Sequence, residues 1–342
     1  MGKDSTYGGY HKKTAQGGLK RSSVDGGSLD TLGIVAPPQC LQGSQDGQKP
    51  LISLDKYIKR QKAKAITMGQ LMPLIDLNSN LKKSYWNTYH CNRHIEQKGN
   101  ELKSSYCDAR WCTVCNRVRM AKMINAYGPT LMSLDDLHFV TLTAPNVSGK
   151  DLRLEVDNML STWTKIRKFI SKYRKGIKLR GMRKLECTFN PKSGFNPHFH
   201  LIISGLKESE LIVSKWLELV YGASPKGQDI RKANEGSLIE LFKYTAKGVV
   251  KGKYYPFQMD TIYHSLYYRK TYYPIGIKKI VEEDIEGIEV QEVDFLDGET
   301  NLFEWDAESK EWFDSNGNSL TNHAIDGDLF DWIESLAADD TN

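Results

Sequence analysis

Alternating apolar and polar residues predict a β-hairpin near the middle of the chain. Every second residue is apolar in the first strand, RKLECTFN (183–190), and a Gly-containing turn leads into a second strand, NPHFHLIIS (196–204). Successive side chains of a strand point to opposite faces, so His198 and His200 project together while the apolar residues face the other way. The hairpin register is expected to set Glu186 and Thr188 beside the two histidines.

Two further segments show regular periods. FVTLTAPNV (139–147) alternates as a strand and ends at a Pro-Asn turn. MLSTWTKIRKFISKYRKG (159–176) has the period of an amphipathic helix that could face a core and DNA at once. Its apolar stripe consists of Trp163, Ile166, Phe169, Ile170 and Tyr173. Its basic faces offer three DNA-binding candidates, Lys165, Lys168 and Lys172.

GSLIELFKYTAKGV (236–249) is predicted to form a short helix with Ser237 as its N-cap and a glycine just past its end. Helical positions four apart share a face, so Glu240 and Tyr244 would lie together, with Lys247 on the same side. A tyrosine hydroxyl can attack phosphorus when a cation steadies the developing charge, and a carboxylate can activate water. The alternative is structural: Ser237 and Glu240 form a capping box and Tyr244 fills the core.

The paired histidines suit a divalent metal, since neutral imidazole nitrogen is a good ligand. Glu186 is the candidate third ligand. Two imidazoles and a carboxylate favour transition metals, although water and phosphate oxygens would complete a shell for Mg²⁺ or Mn²⁺. The alternatives are a solvated strand face that happens to carry two histidines, and a surface glutamate among basic neighbours.

The cysteine-rich stretch YCDARWCTVCNRVRM (106–120) predicts a structural zinc site. Its C-x4-C-x2-C spacing directs thiolates at one tetrahedral centre, and a closed zinc site needs four ligands. The expected ligands are Cys91, Cys107, Cys112 and Cys115. His94 or His90 could replace Cys91 as the fourth. The adjacent DNA-binding candidates are Arg110, Arg117 and Arg119. In the alternative reading, the cysteines are free thiols that pack as small hydrophobes.

Charge is distributed unevenly along the 342 residues. Residues 281–342 hold 20 acidic residues and one lysine, a net charge of −19, which leaves 46 basic and 22 acidic residues, or +24, in residues 1–280. A body this basic indicates a polyanionic partner, most simply a nucleic acid. No run of 18 apolar residues and no signal peptide is present in the sequence, so we expect no membrane association and a cytoplasmic protein.

Composition divides the chain into four predicted regions. They are a disordered basic arm (1–50), a cysteine-rich zinc-binding region (51–128), a domain that carries the paired histidines and Tyr244 (129–280), and an acidic, aromatic tail or small subdomain (281–342). The arm is rich in Gly, Ser, Gln and Lys, a composition that does not support a packed core.

Taken in order, these blocks resemble the rolling-circle replication initiators (Rep proteins) of small bacterial plasmids, which belong to the HUH endonuclease class. The blocks are YCDARWCTVC, FVTLTAPNV, the basic helix, RKLECTFN with NPHFHLII, and ELFKYTAK, and they span roughly residues 85–280. The resemblance implies that His198 and His200 are the metal ligands of the HUH motif. It also implies that Tyr244 nicks one DNA strand and that Glu240 activates water for the terminating cleavage, as in the single-tyrosine branch.

The resemblance also implies an α+β fold. In it a central antiparallel sheet carries the HUH strand in its middle and helices pack on one side, with a zinc-stapled N-terminal region added here. Origin DNA, single-stranded at the nick, would be the substrate, stacked on aromatic residues such as those in KYYPF and SLYYRKTYY, and a host replication helicase would be a partner. The alternatives are another HUH enzyme, a transposase or a relaxase, or a non-catalytic zinc-dependent nucleic-acid-binding protein.

The acidic tail departs from this family pattern and leaves three hypotheses open. It could imitate single-stranded DNA and lie across the basic body, or it could dock a host helicase. It could also form a packed subdomain with a hairpin around LFEWDAESKEWFDSNGN (302–318). A helix over DLFDWIESL is expected to align its apolar side chains, Leu329, Trp332, Ile333 and Leu336.

Overall fold

The structure is a computed structural model that describes residues 54–98, 101–173, 178–243, 246–247, 249–250, 253–280 and 300–338. The predicted basic arm, residues 1–50, lies outside the described residues. The α-helices are α1 Leu54–Asp76, α2 Lys82–Tyr89, α3 Thr113–Met132, α4 Leu152–Tyr173, α5 Leu206–Leu219, α6 Glu235–Phe242, α7 Pro256–Leu266 and α8 Gly327–Ala338.

The strands form two larger sheets and one short pair. They are β1 His94–Lys98, β2 Glu101–Ser104, β3 Leu137–Thr143, β4 Gly181–Asn190, β5 Gly194–Ser204, β6 Asp229–Lys232, β7 Ala246–Lys247, β8 Val249–Val250, β9 Lys253–Tyr254, β10 Tyr272–Ile275, β11 Asn301–Asp306 and β12 Glu311–Phe313. The mixture of helices and antiparallel sheets confirms the predicted α+β class.

The central sheet has the order β10-β4-β5-β3-β6, and each neighbouring pair is antiparallel. The strand β7 adds a short parallel pairing to β4. The predicted hairpin is therefore confirmed as β4–β5. The strand with the two histidines, β5, lies in the middle of the sheet, as expected.

Helices cover both faces of this sheet, and not one face as the resemblance implied. On the first face, the Phe199 ring contacts Trp163 of α4 and Trp216 of α5, at ring-centroid distances of 6.3 and 5.5 Å. On the second face, Phe139 and Ile202 belong to a separate core with residues of α3 and α6. The central strands carry apolar side chains on both faces, so each face of the sheet must pack against helices that shield it from water.

The basic helix α4 buries most of its predicted stripe. Trp163, Ile166 and Ile170 are buried, and Phe169 packs partly against the same core. Tyr173, in contrast, is 61% exposed. Tyr173 follows the predicted stripe, with its ring centroid 4.8 Å from that of Phe169, but it is the last residue of α4 and is not buried.

The C-terminal segment packs against the cysteine-rich region. The strand β11 pairs antiparallel with β1, and the second sheet has the order β12-β11-β1-β2. The helix α8 packs on α1, where Gly69 permits close approach: a Cβ there would lie 2.9 Å from the Ile333 carbonyl oxygen. Segments that the sequence treats separately, 51–128 and 281–342, thus contribute to one sheet.

Side-chain burial in this segment favours the packed-subdomain hypothesis over a free tail. The aromatic residues Trp305 and Trp312 are buried, with ring centroids 4.5 Å apart. On α8, Leu329, Ile333 and Leu336 are buried on one side, as the sequence predicts. None of the helices in the described part of the chain combines the length and the apolarity that a membrane crossing requires.

Replacing Trp312 tests this packing. Trp312 is fully buried and its indole N–H donates to the Asn92 carbonyl oxygen at 3.0 Å. We expect Trp312→Ala to lower the free energy of unfolding by about 3–5 kcal/mol, the usual cost of removing a buried aromatic side chain. Denaturant unfolding measures this. The control is Leu302→Ala on the neighbouring strand, where the side chain is 54% exposed. Equal effects of the two substitutions would contradict the packed arrangement.

Candidate metal centre and its surroundings

Glu186, His198 and His200 come together on the second face of the central sheet. Glu186 of β4 lies directly opposite His198 of β5 in the antiparallel register. One ligand atom from each of the three residues lies within 4.8 Å of the others. The Glu186 carboxylate oxygens are 4.0 Å from His198 Nε2 and 3.8 Å from His200 Nε2. The three residues thus lie together as the sequence predicts. Glu186 is buried, so the alternative of a surface glutamate does not hold.

Each histidine is oriented by a contact at its other ring nitrogen. His198 Nδ1 lies 3.0 Å from the Asn196 carbonyl oxygen, which can only accept, so Nδ1 carries the proton. This leaves the Nε2 lone pair of His198 directed at Glu186 and available to a metal. His200 Nδ1 lies 3.3 Å from the Thr141 hydroxyl on the neighbouring strand. Fixed rings of this kind reduce the cost of binding an ion.

A lysine that sequence reasoning missed completes the cluster. Lys184 lies opposite His200, the position expected for Thr188, and its Nζ is 2.7 Å from Glu186 Oε2. Burial raises the pKa of the Glu186 carboxyl, but the charge of Lys184 and the two imidazoles outweigh burial and lower that pKa to about 2. Glu186 is therefore a carboxylate at neutral pH. Strand alternation could have placed Lys184 in the cluster, because residues 184 and 186 of one strand point to the same face.

The chemistry of this donor set fits a divalent ion. Two imidazole nitrogens and one carboxylate oxygen are ligand types that transition metals accept, and Mg²⁺ or Mn²⁺ would take further oxygens from water or phosphate. The solvated-face alternative does not hold for His198, because its side chain is buried.

The helix α6 differs from the predicted one at both ends. Asn234, not Ser237, is the N-cap, and the capping box joins these two residues. The helix ends at Phe242, because the Tyr272 hydroxyl of β10 donates to the Phe242 and Lys243 carbonyl oxygens and takes over the helix terminus. A tertiary contact has thus replaced the continued helix.

Glu240 lies on α6, but it takes no part in a capping box. Its carboxylate pairs with Arg231 of β6, whose guanidinium packs over the Phe139 ring at 4.2 Å. The strand β6 pairs with β3, where Asp229 lies opposite Thr141, the residue that contacts His200. The structural alternative for Glu240, a capping role with Ser237, was therefore wrong.

Tyr244 lies outside the described residues. The residues on either side of it are described: the Lys243 carbonyl oxygen is 2.9 Å from the Tyr272 hydroxyl, and Ala246 pairs with Cys187, next to Glu186. Lys247 lies in β7 and not on a helix. The prediction that Lys247 shares a helical face with Glu240 was wrong, because α6 ends at Phe242 and Lys247 belongs to a strand.

The four predicted zinc ligands form a second cluster. Sγ of Cys91 lies 3.5 Å from that of Cys115 and 3.7 Å from that of Cys112, and Sγ of Cys107 lies 3.7 Å from that of Cys115. All four sulfurs lie within 4.8 Å of one another. Cys91 is thus the fourth member, in agreement with the prediction, and the donor set has the composition of a closed structural zinc site.

Backbone and charge contacts support thiolates at this cluster. The N–H groups of Cys107, Ala109 and Cys115 donate to sulfur atoms of the cluster, each at 3.4 Å. The ammonium of buried Lys64 donates to the Tyr89 and Cys91 carbonyl oxygens, both at 2.6 Å. Burial lowers the pKa of Lys64 to about 8, even though the nearby thiols act to raise it. Sequence reasoning did not identify Lys64, because a single lysine in a helix is normally solvated.

The predicted DNA-binding residues divide between two locations. Arg110 donates to the Leu266 carbonyl oxygen at 2.9 Å and so ties the cysteine region to α7, whereas Arg119 pairs with Asp108 at 2.7 Å within the cysteine region. Arg117 is half-buried in α3, the helix that also carries Arg119. The other candidates are exposed lysines of α4, the helix that covers the first face of the sheet, so they lie on the side opposite the histidines. They are Lys165, Lys168 and Lys172.

A model of the family described as replication protein matches residues 99–210 of the chain. A protein described as "Protein rep" from Staphylococcus aureus is 32% identical over 173 residues, which cover 44% of this chain and 73% of that protein. The chain belongs to the replication protein family. Its members are the Rep initiators of plasmids, in agreement with the resemblance found in the sequence.

Another family member, a "Protein rep" from Lentilactobacillus hilgardii, is 30% identical over 109 residues. That alignment covers 29% of this chain and 32% of the relative. No solved structure matches the chain. The segment that matches the family model contains Glu186 and both histidines as well as Cys107, Cys112 and Cys115, whereas Glu240 and Tyr244 follow it.

The cysteine cluster generates a prediction about metal content. We expect about one equivalent of zinc per chain in protein purified without chelator, since the four thiolates match a structural site. Elemental analysis measures it. Cys112→Ala should lose the zinc and lower the melting temperature, because metal binding is coupled to folding. The control is Cys187→Ala, a buried cysteine outside the cluster, which should keep the zinc. Less than about half an equivalent in the unaltered protein would favour free thiols.

Proposed function

We propose that this Rep protein initiates rolling-circle replication of a plasmid as an HUH endonuclease that nicks one DNA strand at the origin. The observation that carries the proposal is the cluster of Glu186, His198 and His200 on the central strand. Membership of the replication protein family supports the same role. A non-catalytic zinc-dependent DNA-binding protein would not need a buried carboxylate between two oriented imidazoles.

The cluster would hold the divalent ion through His198 Nε2, His200 Nε2 and a Glu186 oxygen. Such an ion, Mg²⁺ or Mn²⁺, would supply Lewis-acid polarisation of the scissile phosphate. The protein's own contribution is orientation: the Asn196 carbonyl oxygen and the Thr141 hydroxyl fix the two rings before substrate arrives. Such preorganisation avoids rearrangement during the reaction.

Tyr244 is the proposed nucleophile. Its phenolic oxygen would lose its proton and form a bond to the phosphorus, the bond from phosphorus to the 3′ oxygen would break, and that oxygen would take up a proton. The products are a 5′-phosphotyrosine and a free 3′-hydroxyl. Support comes from the described neighbours, since Lys243 is tied to β10 and Ala246 pairs beside Glu186. Lys247 is proposed to steady charge on the phosphate.

Glu240 is proposed to act in the second cleavage, which terminates replication. Its carboxylate would take a proton from water, the water oxygen would bond to the phosphorus of the regenerated site, and the bond from that phosphorus to the 3′ oxygen would break. The 3′-hydroxyl so formed would displace Tyr244 from the phosphotyrosine, which releases the enzyme without a new tyrosine adduct. Arg231 pairs with Glu240 and would hold its carboxylate in place. About 43% of the Glu240 side chain is exposed, which leaves room for water.

Recognition of the origin is proposed to combine backbone charge with stacking. The zinc-binding region and α4 supply basic side chains, and exposed aromatic residues such as Tyr267 and Tyr268 lie near β10. Cleavage requires unpaired DNA, so an extruded hairpin loop is the proposed substrate. A host replication helicase is the proposed partner, because the nicked duplex must be unwound.

Tyr244→Phe tests the nucleophile. We expect this substitution to abolish nicking and the covalent adduct with single-stranded origin DNA, because only the attacking oxygen is lost. DNA affinity should change by no more than a few-fold. Gel analysis under denaturing conditions detects the adduct, and EDTA should prevent it in the unaltered protein. The control is Tyr221→Phe, a fully exposed tyrosine, which should remain active. An adduct that persists in Tyr244→Phe would move the nucleophile elsewhere.

Glu240→Gln tests the terminating step. The first nick should survive, but hydrolytic release should fall, so that replication products longer than one unit accumulate on an origin plasmid. The control is Glu235→Gln, an exposed glutamate in the first turn of the same helix. Should Glu240→Gln lower the melting temperature as well as the first nicking step, its role would be structural, through the pair with Arg231.

A further inference from the structure

Lys184 is an unusual neighbour for a metal-binding cluster. Its side chain is fully buried, it lies opposite His200 in the β4–β5 register, and its Nζ is 2.7 Å from Glu186 Oε2. Lysine is almost never fully buried without a charged partner. Here the partner is the carboxylate that is the proposed third metal ligand. A cation is therefore built into a site that must attract a second cation.

With both imidazoles neutral, the state in which they can bind a metal, the charges of the cluster sum to zero before the metal binds. His198 carries its proton on Nδ1 toward a carbonyl oxygen and leaves Nε2 as a neutral donor. Glu186 contributes one negative charge and Lys184 one positive charge. Sites that bind divalent cations strongly usually present several anionic ligands, since affinity follows the ligand charge. A neutral donor set beside a buried ammonium should bind such an ion weakly.

The substrate supplies the missing charge. A scissile phosphate carries one negative charge, and a phosphate oxygen is also a preferred ligand of Mg²⁺ and Mn²⁺. Once the ion is bound, the site has a net charge of about +2, which favours the phosphate more than a site without Lys184 would. Metal and DNA then strengthen each other's binding.

We propose that Lys184 is a positioning residue that makes metal binding depend on DNA. It holds the Glu186 carboxylate in place through the 2.7 Å contact, and its charge keeps the ion weakly bound until the scissile phosphate enters. This inference rests on the proposed nuclease function. By linkage, the factor by which DNA tightens metal binding equals the factor by which the metal tightens DNA binding.

A purely structural role predicts something different. If Lys184 only neutralised a buried carboxylate, its loss would lower stability, and the ratio of metal affinities with and without DNA would stay the same. The ratio therefore distinguishes positioning from structure, and it does not depend on the nicking rate.

The experiment is a Mn²⁺ titration followed by electron paramagnetic resonance, on zinc-loaded protein that carries Tyr244→Phe so that DNA is not cleaved. A short single-stranded origin oligonucleotide is present or absent. His198→Ala in the same background gives the signal of Mn²⁺ bound elsewhere on protein or DNA, which is subtracted. We expect the oligonucleotide to tighten Mn²⁺ binding by about tenfold or more. Equal affinities with and without DNA would overturn the proposal.

Lys184→Gln removes the charge and keeps a group that can donate to Glu186. It should bind Mn²⁺ about tenfold more tightly without DNA, and the tightening by DNA should shrink. Lys192→Gln, at the exposed turn between the same strands, controls for the loss of one positive charge. A folded Lys184→Gln protein that binds Mn²⁺ no more tightly than its parent would overturn the proposal. If this variant does not fold, the parent titration still overturns the proposal when the Mn²⁺ affinities with and without DNA are equal.

The titration separates this inference from the proposed function. Mn²⁺ binding that DNA strengthens, and strengthens less in Lys184→Gln, would leave the role of Lys184 intact, and it would refute the nuclease if the unaltered protein does not nick the origin. Nicking by the unaltered protein together with DNA-independent Mn²⁺ binding would leave the nuclease intact and refute the role of Lys184.

Discussion

The candidate metal centre depends on the register of one antiparallel strand pair. Ten residue pairs join β4 to β5, from Gly181 opposite Ile203 to Asn190 opposite Gly194, and this register alone sets Glu186 beside His198. A slip by one residue would turn every side chain of one strand to the other face. Two positions help to fix it: Gly181 and Gly194 have positive φ angles, and a Cβ at Gly181 would collide with the Ile202 carbonyl oxygen.

The two faces of this strand pair have different roles: one packs in the core and the other carries the candidate metal ligands. Phe199 and its apolar neighbours face α4 and α5 and hold the sheet in the core, while the alternate residues carry the imidazoles and the carboxylate. The second face is covered by α3 and α6 over Phe139, Met182 and Ile202, and the Phe139 ring lies 5.2 Å from the ring of His200. The α3 helix begins at the cysteine cluster, with Cys112 as its N-cap, so the cluster lies at one end of a helix that covers the metal-binding face.

Local patterns in the sequence were sufficient for the hairpin and for both ligand clusters. Alternation identified the shared face of Glu186 and His198, and the C-x4-C-x2-C spacing identified three of the cysteines. Patterns failed where distant residues decide: Tyr272 ends α6 at Phe242, and β11 pairs with β1 from the far end of the chain. Burial of Lys184 was also not predictable, since a lysine on a strand is ordinarily exposed and its ion pair with Glu186, two residues along the same strand, makes burial tolerable.

The central claim is that Tyr244 becomes joined to DNA at a site organised by Glu186, His198 and His200. Mass spectrometry of the trapped complex tests it most directly. The protein is incubated with single-stranded origin DNA and Mn²⁺, denatured, and digested with nuclease and trypsin, which cuts after Lys243 and Lys247. We predict that the nucleotide adduct is found on the peptide of residues 244–247. An adduct on another peptide, or none while the DNA is still cut, would contradict the account.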